Sequence, residues 1–299
     1  MNLLGKINKL TIKLKENLEP KDAVDIKKLE MHCREMDQTS LKLEIDYKLS
    51  KAEEICGNLS KINEFMYYDD DTLIGYIGIS QFSRGVIEVN GMVHPEYRRR
   101  SVFKSLFSLA KDEWSKREFK KVLLLCDNKS FSGQEFVKYT CANYYNSEYE
   151  MFLKNAAWEK LTMNNVLFRN ATNEDAKALA WQDSIYFDEE FNEADISMPE
   201  EEETYGIYSY IAEVNKRTIG KVRLEFENGI GGIYGLGVLP EFRRRGYGKE
   251  IITFAIKKFK ENNLHNIKLQ VSTVNRSALN IYRACGFEET SVMDYYEYK

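Results

Sequence analysis

The 299 residues suffice for two domains of ordinary size, each with its own core. Hydrophobic content of 43% and charged content of 30% are those of a soluble globular protein, and a net charge of −4 argues against a general nucleic-acid binder, which needs a dominant basic surface. No apolar run approaches the length that spans a bilayer. No signal peptide is recognised, and five scattered cysteines (Cys33, Cys56, Cys126, Cys141, Cys285) contain no Cys-x-x-Cys pair, which reads as reduced thiols of a cytoplasmic protein. Three isolated histidines, His32, His94 and His265, give no metal-ligand spacing, so no metal is expected.

In chain order, Leu3, Ile7, Leu10, Leu14 and Leu18 form one stripe, which predicts an amphipathic helix over 3–18. Such a helix could lie on a membrane, join a homodimer or dock on its own domain. Pro20 ends it, and a second helix is expected from Asp22, with Ile26, Leu29 and Cys33 inward. Glu64 to Tyr68 and Leu73 to Ile79 flank Asp69-Asp70-Asp71, the pattern of a β-hairpin with an acidic turn, and Val86 to Met92 reads as another strand. Then comes Val93-His94-Pro95-Glu96-Tyr97-Arg98-Arg99-Arg100-Ser101-Val102-Phe103-Lys104.

That segment recurs 145 residues later as Val238-Leu239-Pro240-Glu241-Phe242-Arg243-Arg244-Arg245-Gly246-Tyr247-Gly248-Lys249, with seven of twelve positions identical. The same shift aligns the apolar helix face Phe103, Leu106, Phe107, Ala110 and Trp114 with Ile252, Ala255 and Phe259. It also aligns the strand-like Val122–Cys126 with Ile267–Val271. A period this long means two copies of a domain, and alternating strands and helices mean an α/β sheet in each. Ser147 to Leu153 closes the first copy and Val166 to Arg169 opens the second. Thr172 is an N-cap with Asp175 in the capping-box position. Nine carboxylates and no Lys or Arg follow between Asp188 and Glu203, before a second hairpin of Tyr208–Glu213 and Thr218–Phe226.

Gly232 to Gly237 reads as a strand loosened by glycine, followed by an arginine- and glycine-rich turn and a helix. That order suits a phosphate: first-turn N–H groups lack internal partners, the helix dipole favours an anion, glycines admit close approach, and arginines add charged donors. A P-loop is excluded because Lys249 is followed by Glu250, and a dinucleotide fingerprint because Pro240 stands where its third glycine belongs.

Arg243-x-x-Gly246-x-Gly248 after Val238-x-Pro240 instead resembles the acetyl-CoA pyrophosphate loop of the GCN5-related N-acetyltransferase (GNAT) superfamily. Asn275-x-x-Ala278-x-x-x-Tyr282-x-x-x-Gly286-Phe287 resembles that superfamily's second signature. The resemblance implies two tandem GNAT-like α/β domains of bacterial type, each a mixed, mostly antiparallel twisted sheet flanked by helices. The expected layout is an N-terminal helix over 1–20, a degenerate copy over 21–155, a linker over 156–164 and a working copy over 165–299.

By the same resemblance, the backbone of Leu236, Gly237 and Val238 would pair with the pantetheine arm of acetyl-CoA. The Arg243, Arg244, Arg245, Gly246, Tyr247, Gly248 and Lys249 loop would hold its pyrophosphate, Asn275 would contact it, and Tyr282 would be general acid toward the leaving thiolate. The attacking amine needs a proton acceptor. Glu225 on the strand after the hairpin is the candidate, against its reading as a surface carboxylate. In the N-terminal copy Ser101 and Phe103 replace the glycines and Val137 stands in the place of Tyr282, so a structural or acceptor-binding role is expected there.

The activity expected is transfer of acetyl from acetyl-CoA to a small-molecule or peptide amine, with a cationic acceptor suggested by the acidic run. A non-catalytic acyl-CoA-binding or sensing module is the alternative. Neither a nucleic acid nor a membrane is an expected partner.

Overall fold

The computed structural model describes residues 9–51, 61–83, 85–160, 166–188, 190–193, 196–227 and 229–299. They divide into two units, Met1–Ser147 with Ser291–Lys299, and Glu148–Thr290.

The first unit begins with a correction. Leu10–Lys15 is strand β1, where a helix was expected; residues 1–8 of that expected helix lie outside the described residues. Leu10, Ile12 and Leu14 satisfy a period of two as well as the helical stripe. The edge of β2 (Glu64–Asp69) decides between them: β1 pairs with it antiparallel, from Leu10↔Asp69 to Lys15↔Glu64. Unpaired, that edge would expose its backbone donors and acceptors. Pro20 then opens helix α1 (Pro20–Asp37) at its first position, with Glu19 and Asp22 forming a reciprocal cap. Ala23, Ile26, Leu29 and Cys33 are buried, as the spacing predicts.

Short helix α2 (Ile45–Lys51) precedes β2, whose hairpin partner is β3 (Thr72–Ser83), and β4 (Val86–Val93) continues the antiparallel run. Helix α3 (Val102–Trp114) lays Leu106, Phe107, Ala110 and Trp114 on this sheet and returns the chain to β5 (Lys121–Asp127), parallel to β4. Helix α4 (Phe131–Thr140) follows.

The second unit repeats the plan. Strand β7 (Leu167–Asn170) leads through the Thr172/Asp175 capping box into α5 (Ala176–Phe187), then α6 (Pro199–Glu203). The hairpin of β8 (Ile207–Val214) and β9 (Arg217–Glu227) turns at Asn215 and Lys216, both left-handed, as a tight two-residue turn requires. Next come β10 (Ile230–Val238), α7 (Tyr247–Glu261), β11 (Asn266–Ser272) and α8 (Arg276–Ala284). Ile251, Ile252, Ala255, Ile256 and Phe259 of α7 are fully buried against Val222 and Leu224 of β9 and Ile267 and Leu269 of β11.

The units do not follow the contiguous division expected from sequence. Strand β6 (Asn143–Leu153) pairs with β11, from Ser272↔Glu148 to Lys268↔Phe152. The far end of β12 (Phe287–Tyr298) pairs with β5, from Met293↔Asp127 to Tyr298↔Val122. Each copy's closing strand therefore completes the other copy's sheet. Met293 and Tyr295, 7% and 3% exposed, pack with Leu123 and Leu125. Burying two such side chains is worth on the order of 3–6 kcal/mol, a large share of a domain's stability. Deleting residues 291–299 should therefore unfold the N-terminal unit first. Hydrogen exchange should show protection lost in β4 and β5; unchanged protection there would contradict the exchange.

Candidate functional site

The second unit's sheet opens along one line. The parallel ladder between β10 and β11 runs from Ile230↔Asn266 to Ile233↔Leu269 and stops, although β10 continues to Val238 and β11 to Ser272. On its other side β10 stays paired with β9 through Gly237↔Lys221 and Val238↔Gly220, after a register shift between Tyr234 and Gly237. Gly235 supplies the left-handed residue of this bulge, at φ +52°. Leu236, Gly237 and Val238 thus border a wedge in which, among the described residues, no strand pairs with that edge of β10, a place where an extended amide chain can.

The wedge leads to the arginine loop. Pro240–Phe242 makes a single 3-10 turn, Arg244 is left-handed at φ +65°, and Gly246 is left-handed at φ +88° as N-cap of α7. The first-turn N–H groups have no intrahelical acceptor. Lys249 differs from expectation: its N–H already donates to Gly246 O at 3.0 Å, so the amide donors fall on the residues before it. Two arginines each turn one of their five N–H donors onto the loop itself. Arg243 Nε donates to Val238 O at 2.9 Å and Arg245 donates to Glu241 O at 3.1 Å. These bonds hold the loop's shape.

Across from the loop, Asn275 caps α8: its Oδ1 accepts from the N–H of Ala278 and the hydroxyl of Ser277, both at 3.1 Å. Two turns on, Tyr282 is 8% exposed with its ring edge-on to Phe287. Burial pushes its hydroxyl up to about 12, so it keeps its proton at neutral pH and can donate it. Helices α7 and α8 approach closely at Gly248, where a Cβ would lie 3.3 Å from Ile281.

Glu225 is half-buried on β9, in register with Gly232. It does not line the pocket of about 190 Å³ beside the bulge. That pocket is bounded by α5, α6 and the outer face of β8, β9 and β10, and its charged residues are Asp183, Glu202, Lys221 and Arg223. Lys221 Nζ meets Asp183 Oδ2 at 2.6 Å and Arg223 meets Glu202 at 3.0 Å. Burial lowers the Lys221 ammonium below the ordinary lysine range, against the opposing pull of Asp183. Sequence reading missed this group because Lys221 and Arg223 alternate with buried Val222 and Leu224 and so read as solvent-facing. The available signal was Asp183, spaced three and four residues from Leu179, Ala180 and Phe187 on α5's pocket-lining stripe.

The N-terminal copy keeps the loop and also a wedge, since the β4–β5 ladder stops at Val89↔Leu124 while β4 runs on to Val93 and β5 to Asp127; it differs in the bulge and in the side chains around it. Arg98 Nε donates to Val93 O at 3.1 Å, and Arg99 and Ser101 are left-handed like Arg244 and Gly246. The ladder of β3 and β4 runs unshifted from Ser80↔Glu88 to Gly75↔Val93, without the bulge. Phe103 packs edge-on to Phe136 at 4.6 Å, in the positions of Gly248 and Ile281, and buried Val137 replaces Tyr282. Glu64 and Tyr76 stand in the positions of the pocket residues Ser209 and Lys221. They are buried and bonded to each other, with Lys48 at 3.0 Å from Glu64.

Residues 171–287 match the model of the Acetyltransferase (GNAT) family. An N-alpha-acetyltransferase of Sulfurisphaera tokodaii is 28% identical over 100 residues, 29% of this chain and 60% of the relative. An uncharacterized N-acetyltransferase of Methanocaldococcus jannaschii is 30% identical over 91 residues, 28% of this chain and 40% of the relative. The matched segments thus span less than two thirds of either relative. Two solved structures share the fold over nearly the whole chain. A GCN5-related N-acetyltransferase from Sphaerobacter thermophilus has a TM-score of 0.76 at 16% identity, covering 96% of this chain and 95% of its own. A tandem GNAT protein from the clavulanic acid biosynthesis pathway has a TM-score of 0.71 at 12% identity, covering 97% and 99%. The family match thus concerns residues 171–287, and the solved structures show a shared fold. Among the described residues no group of three or more His, Cys, Asp or Glu could hold a metal, and no helix is long and apolar enough to cross a membrane.

Proposed function

We propose that this protein is an acetyl-CoA-dependent N-acetyltransferase with one working site, in the C-terminal unit. The observation that carries the reading is the bulge and charged pocket at the vertex of a wedge whose open end leads to the α7 N-terminus; the N-terminal copy has a wedge but neither of these at the matching place. Bound acetyl-CoA would supply the thioester. The N–H groups at Arg244 to Gly248 would hold its pyrophosphate, and the edge of Leu236 to Val238 would pair with the pantetheine amides. From Val238 back to Tyr234 the strand runs about 13 Å. An arm entering from the loop therefore delivers its thioester near the bulge, beside the pocket. Tyr282 gives its proton to the departing thiolate.

The N-terminal copy is structural: its sheet has no bulge at the matching place, and hydrogen-bonded side chains fill the positions of its pocket. The acceptor is a small primary amine or peptide amine; the pocket's two carboxylates are paired with Lys221 and Arg223, and the group there that can accept from an ammonium is Asp183 Oδ1. Elsewhere in the acidic run Glu193 is held by Lys177 at 2.6 Å, Glu200 accepts from the N–H of Asn173, and Glu203 accepts from Asn170. A cytoplasmic location fits the free cysteines Cys33, Cys126, Cys141 and Cys285.

The test is release of free CoA thiol from acetyl-CoA with a panel of primary amines, from neutral-bodied monoamines to diamines, amino sugars and short peptides. Turnover with a cationic member supports the reading. Tight acetyl-CoA binding with no turnover by any amine would favour a non-catalytic acyl-CoA sensor.

A further inference from the structure

We propose that Asp183 is the catalytic base that takes the proton of the acceptor ammonium, with Lys221 as its positioning residue. The inference rests on the acetyltransfer reading above and goes to a residue that reading does not require.

Four observations converge on Asp183. Its carboxyl lines the pocket where the sheet bulges, and a Cβ on Gly235 would lie 3.6 Å from Asp183 Oδ1 and 3.6 Å from Lys221 Nζ. Lys221, 5% exposed, fixes Oδ2 at 2.6 Å and so fixes the plane of the carboxylate. Oδ1 is turned from solvent and has no hydrogen-bond partner among the described residues, while the side chain as a whole, 41% exposed, is open to the pocket. A buried acceptor of this kind is costly to leave unsatisfied. A donor brought by the substrate would satisfy it, and an ammonium is the donor this chemistry brings. The titratable neighbours are Arg223 on β9, held by Glu202 of α6, Tyr186 on α5, which donates to Gln182 at 2.8 Å, and Tyr234 of β10, which lines the same pocket.

The proton balance closes. The ammonium gives one proton to Asp183 Oδ1, which frees the nitrogen lone pair. The nitrogen–acetyl carbon bond forms and the carbon–sulfur bond breaks, with its electron pair leaving on sulfur. Tyr282 protonates that sulfur, and the second nitrogen proton, lost as the amide forms, replaces the one Tyr282 gave. Asp183 returns its proton to solvent. One proton is released per turnover from an ammonium and acetyl-CoA, giving amide and CoA thiol.

The experiment measures kcat/KM between about pH 6 and about pH 10 for wild type and Asp183→Asn, using the fastest amine of the panel. Near neutrality the variant should lose about 10²–10⁴-fold, with acetyl-CoA affinity unchanged by calorimetry. Without the base only amine that is already neutral can react, so the deficit should close as pH nears the amine's own pKa. A purely structural role would lower the rate equally at every pH, and that result would overturn the proposal. So would a wild-type profile in Asp183→Asn, or the pH-dependent deficit appearing in Glu225→Gln instead. Because Asp183→Asn leaves Lys221 buried without its counter-charge, Asp183→Asn with Lys221→Met is measured alongside. The double variant should keep the deficit; recovery of the wild-type rate would show that Asp183 serves only to balance Lys221. Loss of turnover in wild type with every amine is a different outcome, and it removes the acetyltransfer reading along with the base.

Discussion

Tyr282→Phe is expected to bind acetyl-CoA like wild type and to lose about 10²–10⁴-fold in kcat. The ring survives the change, so its packing on Phe287 and the helix that carries it survive too. What disappears is the proton for the departing sulfur. Burial raises the hydroxyl to about 12, which fixes the pH behaviour. The acid form is present at all lower pH and is lost only as pH rises through about 12, so Tyr282 contributes no descending alkaline limb in the ordinary assay range. Steady-state rates with acetyl-CoA binding measured in parallel make the check. An unchanged kcat, with chemistry shown to be rate-limiting, would remove Tyr282 from the reaction.

Gly246→Asp is expected to weaken acetyl-CoA by about 100-fold or more, the effect of two coincident faults. The backbone there has φ +88°, where a Cβ costs on the order of 1–2 kcal/mol. The new carboxylate would also stand at the helix N-terminus where the pyrophosphate is to sit, replacing an attraction with a repulsion. Gly246→Ala separates the faults, since it keeps the strain and adds no charge, and should cost about tenfold. Ser101→Asp, at the matching left-handed N-cap of the N-terminal copy, should leave acetyl-CoA affinity unchanged. Titration calorimetry on the three variants reads all of this; equal losses from Gly246→Asp and Ser101→Asp would mean that both loops bind.

Much of this arrangement was legible in the sequence because it repeats. The identical residues of the two loops, and the shift that also aligns α3 with α7 and β5 with β11, announced the duplication before any motif was assigned. Local signals were sound where chain neighbours decide structure, as in the Thr172/Asp175 box and the Asn275 cap. Sequence failed where distant partners decide. Leu10 to Leu14 fits a helix and a strand equally, and only the open edge of β2 makes it β1. The exchange of β6 and β12 has no local signature, since a strand's sequence does not say which of two similar edges it joins. The pocket was hidden for the same reason: a charged residue such as Lys221 on an alternating strand reads as solvated until α5 is known to cover it. Nor does the sequence show that Arg243 and Arg245 each turn one donor back onto the loop, to the carbonyls of Val238 and Glu241.

The central claim is a single acetyl-CoA site per chain, in the C-terminal unit, and the stoichiometry of binding tests it most directly. Titration calorimetry of the intact chain with acetyl-CoA should give one site per chain, and Gly246→Asp should abolish that heat at the same concentrations. Two equivalent sites, or one site that survives Gly246→Asp, would contradict the account.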